Sequence, residues 1–334
     1  MHPADGKRIY VQDVAVRDGF QIEPIFIPTD VKIALIDRLS RTGLAKIEVT
    51  SFVSPKAIPA LADAEAVMRG IARVAGVEYA ALVPNVRGCE RALACGVDEI
   101  NLVMSASASH NRANLRMTQE QSLAQFAEIV GIVQGRTAIN ASLSTAFGCP
   151  FDGAIDPVQV IAFIDRITTL GIDRISLCDT TGMANPAQVE RLCTAVIARW
   201  PKVTLTAHFH NTRGLGLANV LAALDAGVRR FDASLGGLGG CPFAPGAGGN
   251  VCTEDMVHML QTIGYDTGVD LEALIAIARD LPVIVGHDVP GQVMKAGPWN
   301  RRYPLPEGAG DVQQRPTGTP SGGCTANPSP AATA

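Results

Sequence analysis

The sequence of 334 residues predicts an α/β protein, and within that class a (β/α)8 TIM barrel. Short β-branched segments alternate with amphipathic stretches of helical period, which predicts parallel strands joined by helical crossovers. Eight such segments occur, and eight strands are the number that closes this kind of barrel. No Gly-x-Gly-x-x-Gly motif follows the first segment, where an open dinucleotide-binding sheet would place one.

The eight predicted strands are rich in branched and aromatic side chains, as strands prefer. In chain order they cover residues 9–16, 46–50, 78–83, 99–104, 138–144, 174–179, 203–210 and 229–235. Amphipathic helical patterns lie between them at residues 29–43, 118–133, 156–171, 185–200 and 214–227. Several of these patterns open on Thr, Asp or Asn and close on Gly, which helix ends favour. After the last strand, residues 253–264 and 270–281 predict extra C-terminal helices.

Composition divides the chain into two parts. Residues 1–297 carry the periodic pattern and are predicted to form one catalytic barrel domain. Residues 298–334 are rich in Gly, Pro, Ser and Thr without any periodicity, which predicts a disordered tail.

The overall composition, 47% hydrophobic and 18% charged, is that of an ordinary globular protein. A net charge of −4 without a basic run argues against a nucleic-acid partner. No apolar stretch reaches transmembrane length, and the first residues lack the apolar core of a signal peptide. We therefore expect no membrane partner and a cytoplasmic location. The eight cysteines include no Cys-x-x-Cys pair, which argues against a zinc ribbon or a disulfide framework.

Polar residues collect where the predicted strands end. In chain order they are Arg17, Asp18 and Gln21 after the first strand, Glu48 in the second, Asp179 and Thr180 at the sixth, His208 and His210 at the seventh, and Ser234 at the eighth. The catalytic groups of such barrels gather at the carboxyl ends of the strands. The pattern therefore predicts an active site at that face.

Asp18, His208 and His210 are candidate metal ligands. The two histidines lie two residues apart, so an extended strand points both to one face. A carboxylate with two imidazoles suits Mg, Mn, Fe, Co or Zn, and ligand type alone does not choose among them. Alternatives stay open at this point. Asp18 could pair with Arg17 or cap a helix, and the histidines could pack in a polar corner of the barrel mouth.

Two more residues stand out from their surroundings. Glu48 is flanked by Ile47 and Val49, and burying a carboxylate there is costly unless a cation such as Arg17 pairs with it. Cys241 lies among glycines and prolines in residues 236–249, outside any predicted element. That loop is either a flexible connector or a mobile lid that carries one reactive thiol.

Several motifs closely resemble the hydroxymethylglutaryl-CoA lyase family. They include VRDGFQIEP (16–24), LCDTTGMANP (177–186), AHFHNTRGLG (207–216) and GGLGGCPFAPGAGGN (236–250), and the resemblance covers about residues 8 to 295. The last motif is the most specific, because it fixes a Cys, a Pro and a closing Asn within a glycine framework.

The resemblance implies a role for each matched residue. Asp18, His208, His210 and Asn250 would ligate a divalent cation, Mg²⁺ or Mn²⁺, and Asn250 comes from the resemblance alone. Arg17 would neutralise charge on the thioester oxygen, Glu48 and Asp179 would act near the metal or the reacting hydroxyl, and Cys241 would be the acid/base thiol. Apart from the resemblance, two groups of residues are expected to bind substrate: Gln21, Ser51 and Thr180 near the strand ends, and His110, Arg112 and Asn114 in a loop predicted after the fourth strand at the barrel mouth.

The implied function is a divalent-metal-dependent lyase that cleaves a C–C bond of a 3-hydroxyacyl-CoA in a retro-Claisen reaction. With 3-hydroxy-3-methylglutaryl-CoA as substrate the products are acetyl-CoA and acetoacetate, a reaction of leucine degradation. The resemblance also implies an acyl-CoA substrate as partner and a homo-oligomer, a dimer or higher.

Departures from the family pattern leave the acyl group open. Asn211 stands where the family usually has Asp, Arg213 stands where an aromatic residue is common, and residues 105–118 differ from the usual segment at the predicted mouth. A related lyase acting on citramalyl-CoA, methylmalyl-CoA or a longer hydroxyglutaryl-CoA is therefore an alternative. A Claisen-type synthase of the isopropylmalate or homocitrate type is less favoured, because those enzymes carry long C-terminal domains. A non-enzymatic acyl-CoA-binding barrel would have lost a matched metal or acid/base residue, and none is lost.

Overall fold

The computed structural model describes residues 8–240 and 249–306, and within them eight parallel strands close into a barrel in sequence order. The strands are β1 (Tyr10–Asp13), β2 (Lys46–Ser51), β3 (Glu78–Leu82), β4 (Glu99–Ser105), β5 (Ala138–Ser144), β6 (Arg174–Asp179), β7 (Thr204–Phe209) and β8 (Arg230–Ala233). β1 pairs with both β2 and β8, which closes the sheet on itself. The predicted (β/α)8 barrel is confirmed.

Helices surround the sheet and follow the strands. They are α1 (Thr29–Leu39), α2 (Ala64–Gly70), α3 (Val86–Ala94), α4 (Ala108–Leu115), α5 (Gln119–Val133), α6 (Pro157–Thr169), α7 (Pro186–Arg199), α8 (Gly216–Asp225), α9 (Thr253–Thr262), α10 (Leu271–Ala278), α11 (Leu281–Val285) and α12 (Val293–Ala296). Helices α9 and α10 are the predicted C-terminal additions, and the short helices α11 and α12 follow them without having been predicted. Within residues 8–240 and 249–306, none of the helices has the length and apolar character that crossing a bilayer requires.

The helix starts follow the capping chemistry that the sequence predicted. Thr118 and Gln121 form a reciprocal capping box at α5, and Asn185 and Gln188 form another at α7. At α6 the side chain of Asp156 accepts a hydrogen bond from the backbone N–H of Val158.

The first strand is shorter than predicted. It was expected over residues 9–16 but ends at Asp13, and Ala15–Gly19 form a π-helical turn. The carboxylate of Asp13 accepts a hydrogen bond from the N–H of Ala15, and the N–H of Asp18 bonds to the carbonyl of Val14 at 2.7 Å. A buried turn and a buried strand are both apolar, so the apolar residues of this segment did not distinguish them. The turn places Arg17 and Asp18 at the carboxyl end of the barrel.

A ring of charged residues closes the amino end of the barrel. Lys46, Glu78, Glu99 and Arg174 are the first residues of β2, β3, β4 and β6. Lys46 Nζ lies 2.5 Å from Glu99 Oε1, and Arg174 Nη1 lies 2.7 Å from Glu99 Oε2 and 3.1 Å from Glu78 Oε1. These ion pairs lie at the end of the barrel opposite to Asp18 and His208.

The chain divides into two compact units, Met1–Pro298 and Trp299–Ala334. The first unit contains the barrel and its helices. The described part of the second unit, residues 299–306, has no helix or strand. The tail that the sequence predicts to be disordered lies mostly outside the described residues. Both its disorder and the predicted boundary at residue 298 stay predictions.

Candidate metal and catalytic site

Asp18, His208 and His210 meet at the carboxyl end of the barrel. Each offers one ligand atom, and these atoms all lie within 4.8 Å of one another. Asp18 comes from the π-helical turn after β1, His208 lies on β7, and His210 follows that strand directly. The two imidazole rings lie 5.2 Å apart between centroids, and all three residues are buried. The two histidines and Asp18 thus lie close together at this end of the barrel, and their role as ligands stays a prediction.

Asn250 lies beside this group through a backbone bridge to His210. Its Nδ2 donates to Asp18 Oδ2 at 2.7 Å and to the carbonyl of Leu238 at 3.0 Å. Because both neighbours are acceptors, the orientation of the amide is fixed, and Oδ1 is left as the available acceptor. This oxygen is buried and has no hydrogen-bond partner among the described residues, which fits a fourth ligand.

The donor set fits a divalent cation. It combines a carboxylate oxygen, an amide oxygen and two imidazoles, a set that magnesium, manganese and several other divalent metals accept. The carboxylates of Asp18, Glu48 and Asp232 all interact electrostatically with the guanidinium of Arg17. Three carboxylates around one guanidinium leave an excess of two negative charges when the imidazoles are neutral, and a divalent cation would balance it.

Asp18 can both pair with Arg17 and ligate a metal, because the two roles use different carboxylate oxygens. Oδ1 accepts hydrogen bonds from Arg17 Nη1 at 2.6 Å and from Gln21 Nε2 at 3.0 Å. Oδ2 is the oxygen that lies 4.0 Å from His210 Nε2. Burial acts to raise the pKa of the Asp18 carboxyl, but Arg17 and the two imidazoles outweigh it and lower that pKa. Asp18 is therefore held ionised, as a ligand must be.

Asp232 on β8 supports His208 and was missed by the sequence analysis. Nδ1 of His208 lies 3.3 Å from Asp232 Oδ2. With Nδ1–H donated to this carboxylate, Nε2 is the nitrogen left to ligate a cation. Burial acts to lower the pKa of His208, but Asp232 and Asp18 together outweigh burial and raise it.

Arg17 and Glu48 form the ion pair that the sequence predicted. Arg17 Nε donates to Glu48 Oε2 at 2.5 Å, and both side chains are buried. Burial raises the pKa of Glu48, against the effects of Arg17 and of the amide of Asn101. Burial lowers the pKa of Arg17, but Glu48 and Asp18 raise it by more. Nη2 of Arg17 has no recorded protein partner within the described part of the chain, which leaves it available to an anionic oxygen.

Asp179 is the last residue of β6, and only one of its two carboxylate oxygens accepts a hydrogen bond from the described residues. Its Oδ1 accepts the backbone N–H groups of Met183 and Ala184 at 2.7 and 3.0 Å. Its Oδ2 is buried without a hydrogen-bond partner among the residues described. Burial raises the pKa of Asp179 to about 7 against these hydrogen bonds and the nearby His208. A carboxyl group with this pKa can exchange a proton near neutral pH.

The predicted substrate-binding residues occupy different environments. Gln21 contacts Asp18, Ser51 is buried at the end of β2, and the hydroxyl of Thr180 accepts from the N–H of Thr145 at 3.0 Å. Arg112 and Asn114 are exposed on α4. Their substrate contacts stay predictions.

The segment predicted as a mouth loop, residues 105–118, is mostly helical, which corrects the sequence interpretation. Helix α4 begins after Ser107, whose hydroxyl accepts the N–H of His110 at 3.0 Å. His110 itself is buried, with Nδ1 2.6 Å from Ser105 Oγ. Burial lowers the pKa of its imidazole. Its predicted contact with substrate would therefore have to come from inside the fold rather than from an exposed loop.

Cys241, the predicted acid/base thiol, lies outside the described residues, so its role stays a prediction. Asn211 is exposed, and Arg213 Nη1 donates to the carbonyls of Thr181 and Gly182 at 2.9 Å each. Arg213 thus ties the loop after β7 to the loop after β6. Ser234 is buried at the end of β8.

Sequence reasoning also missed Asn101, whose Nδ2 donates to Glu48 Oε1 at 2.8 Å. The signal that singled out Glu48, a polar side chain within an apolar strand, also applies to Asn101 in β4 and Asp232 in β8. All three line one cavity in the barrel interior.

Fold and site together define a (β/α)8 barrel protein with a buried aspartate–histidine group suited to a metal ion at the carboxyl ends of its strands. Residues 8–281 match the HMGL-like family model, and the chain belongs to that family. This confirms the family that the sequence motifs indicated.

Similar proteins support the same assignment. The hydroxymethylglutaryl-CoA lyase YngG of Bacillus subtilis is 47% identical over 287 residues, which cover 86% of this chain and 96% of the relative. The (R)-citramalyl-CoA lyase of Chloroflexus aurantiacus is 42% identical over 301 residues, 87% of this chain and 95% of that protein. A solved HMG-CoA lyase of Acinetobacter baumannii, in complex with coenzyme A and 3-methylmalate, has a TM-score of 0.87 at 54% identity and covers 89% of this chain and 98% of its own. The predicted enzyme class, a carbon–carbon lyase, is confirmed.

Proposed function

We propose that this chain is a divalent-metal-dependent lyase that cleaves 3-hydroxy-3-methylglutaryl-CoA to acetyl-CoA and acetoacetate. The observation that carries the proposal is the buried convergence of Asp18, His208 and His210 within 4.8 Å, with the free Oδ1 of Asn250 beside them. Mg²⁺ or Mn²⁺ is the proposed ion, because half of this donor set is oxygen and no thiolate belongs to it. The similarity to hydroxymethylglutaryl-CoA lyases supports the choice of substrate.

A cation bound there supplies Lewis acidity to the hydroxyl and carboxylate oxygens of the substrate. The chain's own residues handle protons and charge. Asp179 Oδ2 accepts the proton of the 3-hydroxyl, and the electron pair of the O–H bond forms the new carbonyl as the C2–C3 bond breaks. The electron pair of the broken bond passes to the acetyl-CoA enolate. Arg17, through its free Nη2, donates to the enolate oxygen, and the predicted acid Cys241 returns a proton to C2.

The electrostatics of the site support these roles. Arg17 is held between Glu48 and Asp18, which keeps the guanidinium charged and limits its rotation. The thioester oxygen becomes negative only as the C–C bond breaks, so a donor fixed beforehand stabilises the transition state more than the bound substrate. Asp179 titrates near neutral pH and can be ionised when substrate arrives.

Citramalyl-CoA is the second candidate substrate. The citramalyl-CoA lyase relative matches 87% of this chain and 95% of its own length at 42% identity. The exposed Asn211, where the family usually has Asp, lies directly after a proposed ligand and next to Arg213. The position of these two departures, next to a proposed ligand, supports a difference in the acyl group that is accepted.

A homo-oligomer of two or more chains is proposed from the family resemblance alone. The cytoplasmic location that the sequence indicated stays an expectation. Neither bears on the chemistry of the site.

Release of the acyl-CoA product from a panel of thioesters tests the proposal: acetyl-CoA from 3-hydroxy-3-methylglutaryl-CoA and citramalyl-CoA, and propionyl-CoA from methylmalyl-CoA, which carries its methyl group next to the thioester. The panel contains 3-hydroxy-3-methylglutaryl-CoA, citramalyl-CoA and methylmalyl-CoA, each assayed with Mg²⁺ or Mn²⁺ after chelator treatment. We expect the first substrate to have the highest kcat/KM, and Asp18→Ala to lose activity with all three. The exposed Asp30→Ala on α1 is the matched control and should behave as wild type. A higher kcat/KM for citramalyl-CoA would make that thioester the proposed substrate instead. Full activity of Asp18→Ala would show that Asp18 is not a required metal ligand.

A further inference from the structure

The barrel interior below Glu48 is polar. Asn101 on β4, Asn140 and Ser142 on β5, and Ser176 on β6 are all buried, and we call these four residues the polar floor. Branched apolar side chains usually fill the inner layers of this fold. Buried amides and hydroxyls are costly unless each is hydrogen-bonded, so their contacts show what the floor does.

The polar floor forms one connected hydrogen-bond network. Asn101 Oδ1 accepts from Asn140 Nδ2 at 2.9 Å and from Ser142 Oγ at 2.8 Å. Asn140 Nδ2 also donates to Ser176 Oγ at 3.0 Å. Two donors on Asn101 Oδ1 fix the orientation of that amide, because its carbonyl oxygen must face them. Nδ2 of Asn101 is thereby directed to Glu48.

Both oxygens of Glu48 are engaged as a result. Oε1 accepts from Asn101 Nδ2 at 2.8 Å, and Oε2 accepts from Arg17 Nε at 2.5 Å. A carboxylate held at both oxygens has a fixed plane, and that plane sets the direction of the guanidinium bonded to it. The contacts that reach Arg17 thus run from Asn140 and Ser142 on β5 through Asn101 on β4 and Glu48 on β2.

We propose that Asn101 is a positioning residue that orients Glu48, and through Glu48 the guanidinium of Arg17, for the reacting thioester oxygen. The last link, from Arg17 to substrate, rests on the proposed function. The other links rest on the described contacts alone. Asparagine suits this position because it accepts from the floor with one end and donates to Glu48 with the other. Aspartate would set a second buried carboxylate against Glu48, and leucine would leave Oε1 without a donor.

Asn101→Leu, which keeps the approximate shape and removes the amide, tests the proposal in two ways. In protein with ¹⁵N-labelled arginine, the Nε–H signal of Arg17, assigned by its loss in Arg17→Lys, should shift in the variant, because Glu48 is released on one side. In the acetyl-CoA assay kcat should fall about 10- to 100-fold, as for other small misplacements of a catalytic group. KM and Mn²⁺ affinity should change little, since Asn101 contacts no proposed ligand.

Ser176→Ala is the matched control. Ser176 is also buried in the polar floor but bonds to Asn140 and not to Asn101 or Glu48. It should lower the melting temperature as any lost buried hydrogen bond does, and leave kcat and the Arg17 signal as in wild type. An unchanged Arg17 signal in folded Asn101→Leu overturns the proposal. So does an equal loss of kcat in Ser176→Ala, since the floor would then be only structural.

Two further readings keep the test decisive. If Asn101→Leu does not fold, Ser142→Ala removes one of the two donors to Asn101 Oδ1 and should move the Arg17 signal by a smaller amount. An unmoved signal there overturns the proposal. If wild-type protein cleaves no acyl-CoA, the proposed function fails, while the Arg17 signal still decides the link from Asn101.

Discussion

Replacement of Asp232 by Asn should weaken divalent-metal binding without unfolding the protein. Asp232 contacts the proposed ligand His208 and is not itself a proposed ligand. Carboxylates behind a ligating histidine fix its tautomer, and their loss usually costs 10- to 100-fold in metal affinity, about 1.4 to 2.7 kcal/mol. Asn keeps the shape but gives up the charge-assisted hydrogen bond.

Two features of the structure set where the loss of metal affinity should fall within this range of about 10- to 100-fold. The distance from His208 Nδ1 to Asp232 Oδ2, 3.3 Å, is longer than a typical N–H···O bond, so the hydrogen bond alone favours the lower end. The variant also removes one of the three carboxylates around Arg17, which lowers the attraction for a cation. We expect a loss of affinity of at least about tenfold, or about 1.4 kcal/mol.

Titration of chelator-stripped protein with Mn²⁺, followed by the EPR signal of the free ion, measures this affinity directly. Asp165→Asn is the matched control, because Asp165 is an exposed carboxylate on α6 that pairs with Arg199. It should bind Mn²⁺ as wild type does. Affinity within twofold of wild type in a folded Asp232→Asn protein would show that His208 does not depend on this carboxylate, and the reasoning would be refuted.

Three other predictions concern buried carboxyl groups. Burial raises the pKa of Glu254 from 4.5 to about 7. Between these values the folded protein keeps a proton that the unfolded chain has lost. The free energy of unfolding should therefore fall by about 3 kcal/mol as the pH rises from about 4.5 to 7. Urea melts at pH 5 and 8 should show a smaller fall in the free energy of unfolding for Glu254→Gln than for wild type. An equal fall in both proteins would contradict this assignment to Glu254. Glu99→Ala leaves Lys46 and Arg174 without their shortest partner and should cost about 3 to 5 kcal/mol in the same melts, whereas a cost under about 1 kcal/mol would show the ring to be dispensable. Asp179→Asn should lower kcat about 10²- to 10⁴-fold with little change in Mn²⁺ affinity, and near-normal turnover would exclude it as the base.

The barrel could be predicted from sequence because its signals are local and repeated. Eight strand segments alternate with helices, some of which, such as α5 and α7, are capped by the side chains that helix starts favour. The end of β1 could not be predicted, because the apolar residues after Asp13 suit a strand and a buried π-helical turn equally. Helix α4 was missed since it is short and only His110 and Asn111 within it are buried, which gives no helical period of apolar residues.

The candidate ligands could be predicted because barrels bring strand ends together, so polarity at those ends was informative for Asp18, His208 and His210. The sequence marks Asp232 and Asn101 as polar residues within apolar strands, but their partners follow only from how the strands lie in space. Asp232 lies opposite His208 in the register of β7 and β8. Asn101 reaches Glu48 across the barrel interior. Attention to strand ends passed over both residues, because they lie within their strands.

The most direct test of the proposed metal chemistry is the release of acetyl-CoA from 3-hydroxy-3-methylglutaryl-CoA as Mn²⁺ is added stepwise to chelator-stripped protein. One cation held by Asp18, His208, His210 and Asn250 predicts activity that is absent at the start and rises until one ion per chain is bound. Full release of acetyl-CoA from the stripped protein, before any ion is added, would contradict it.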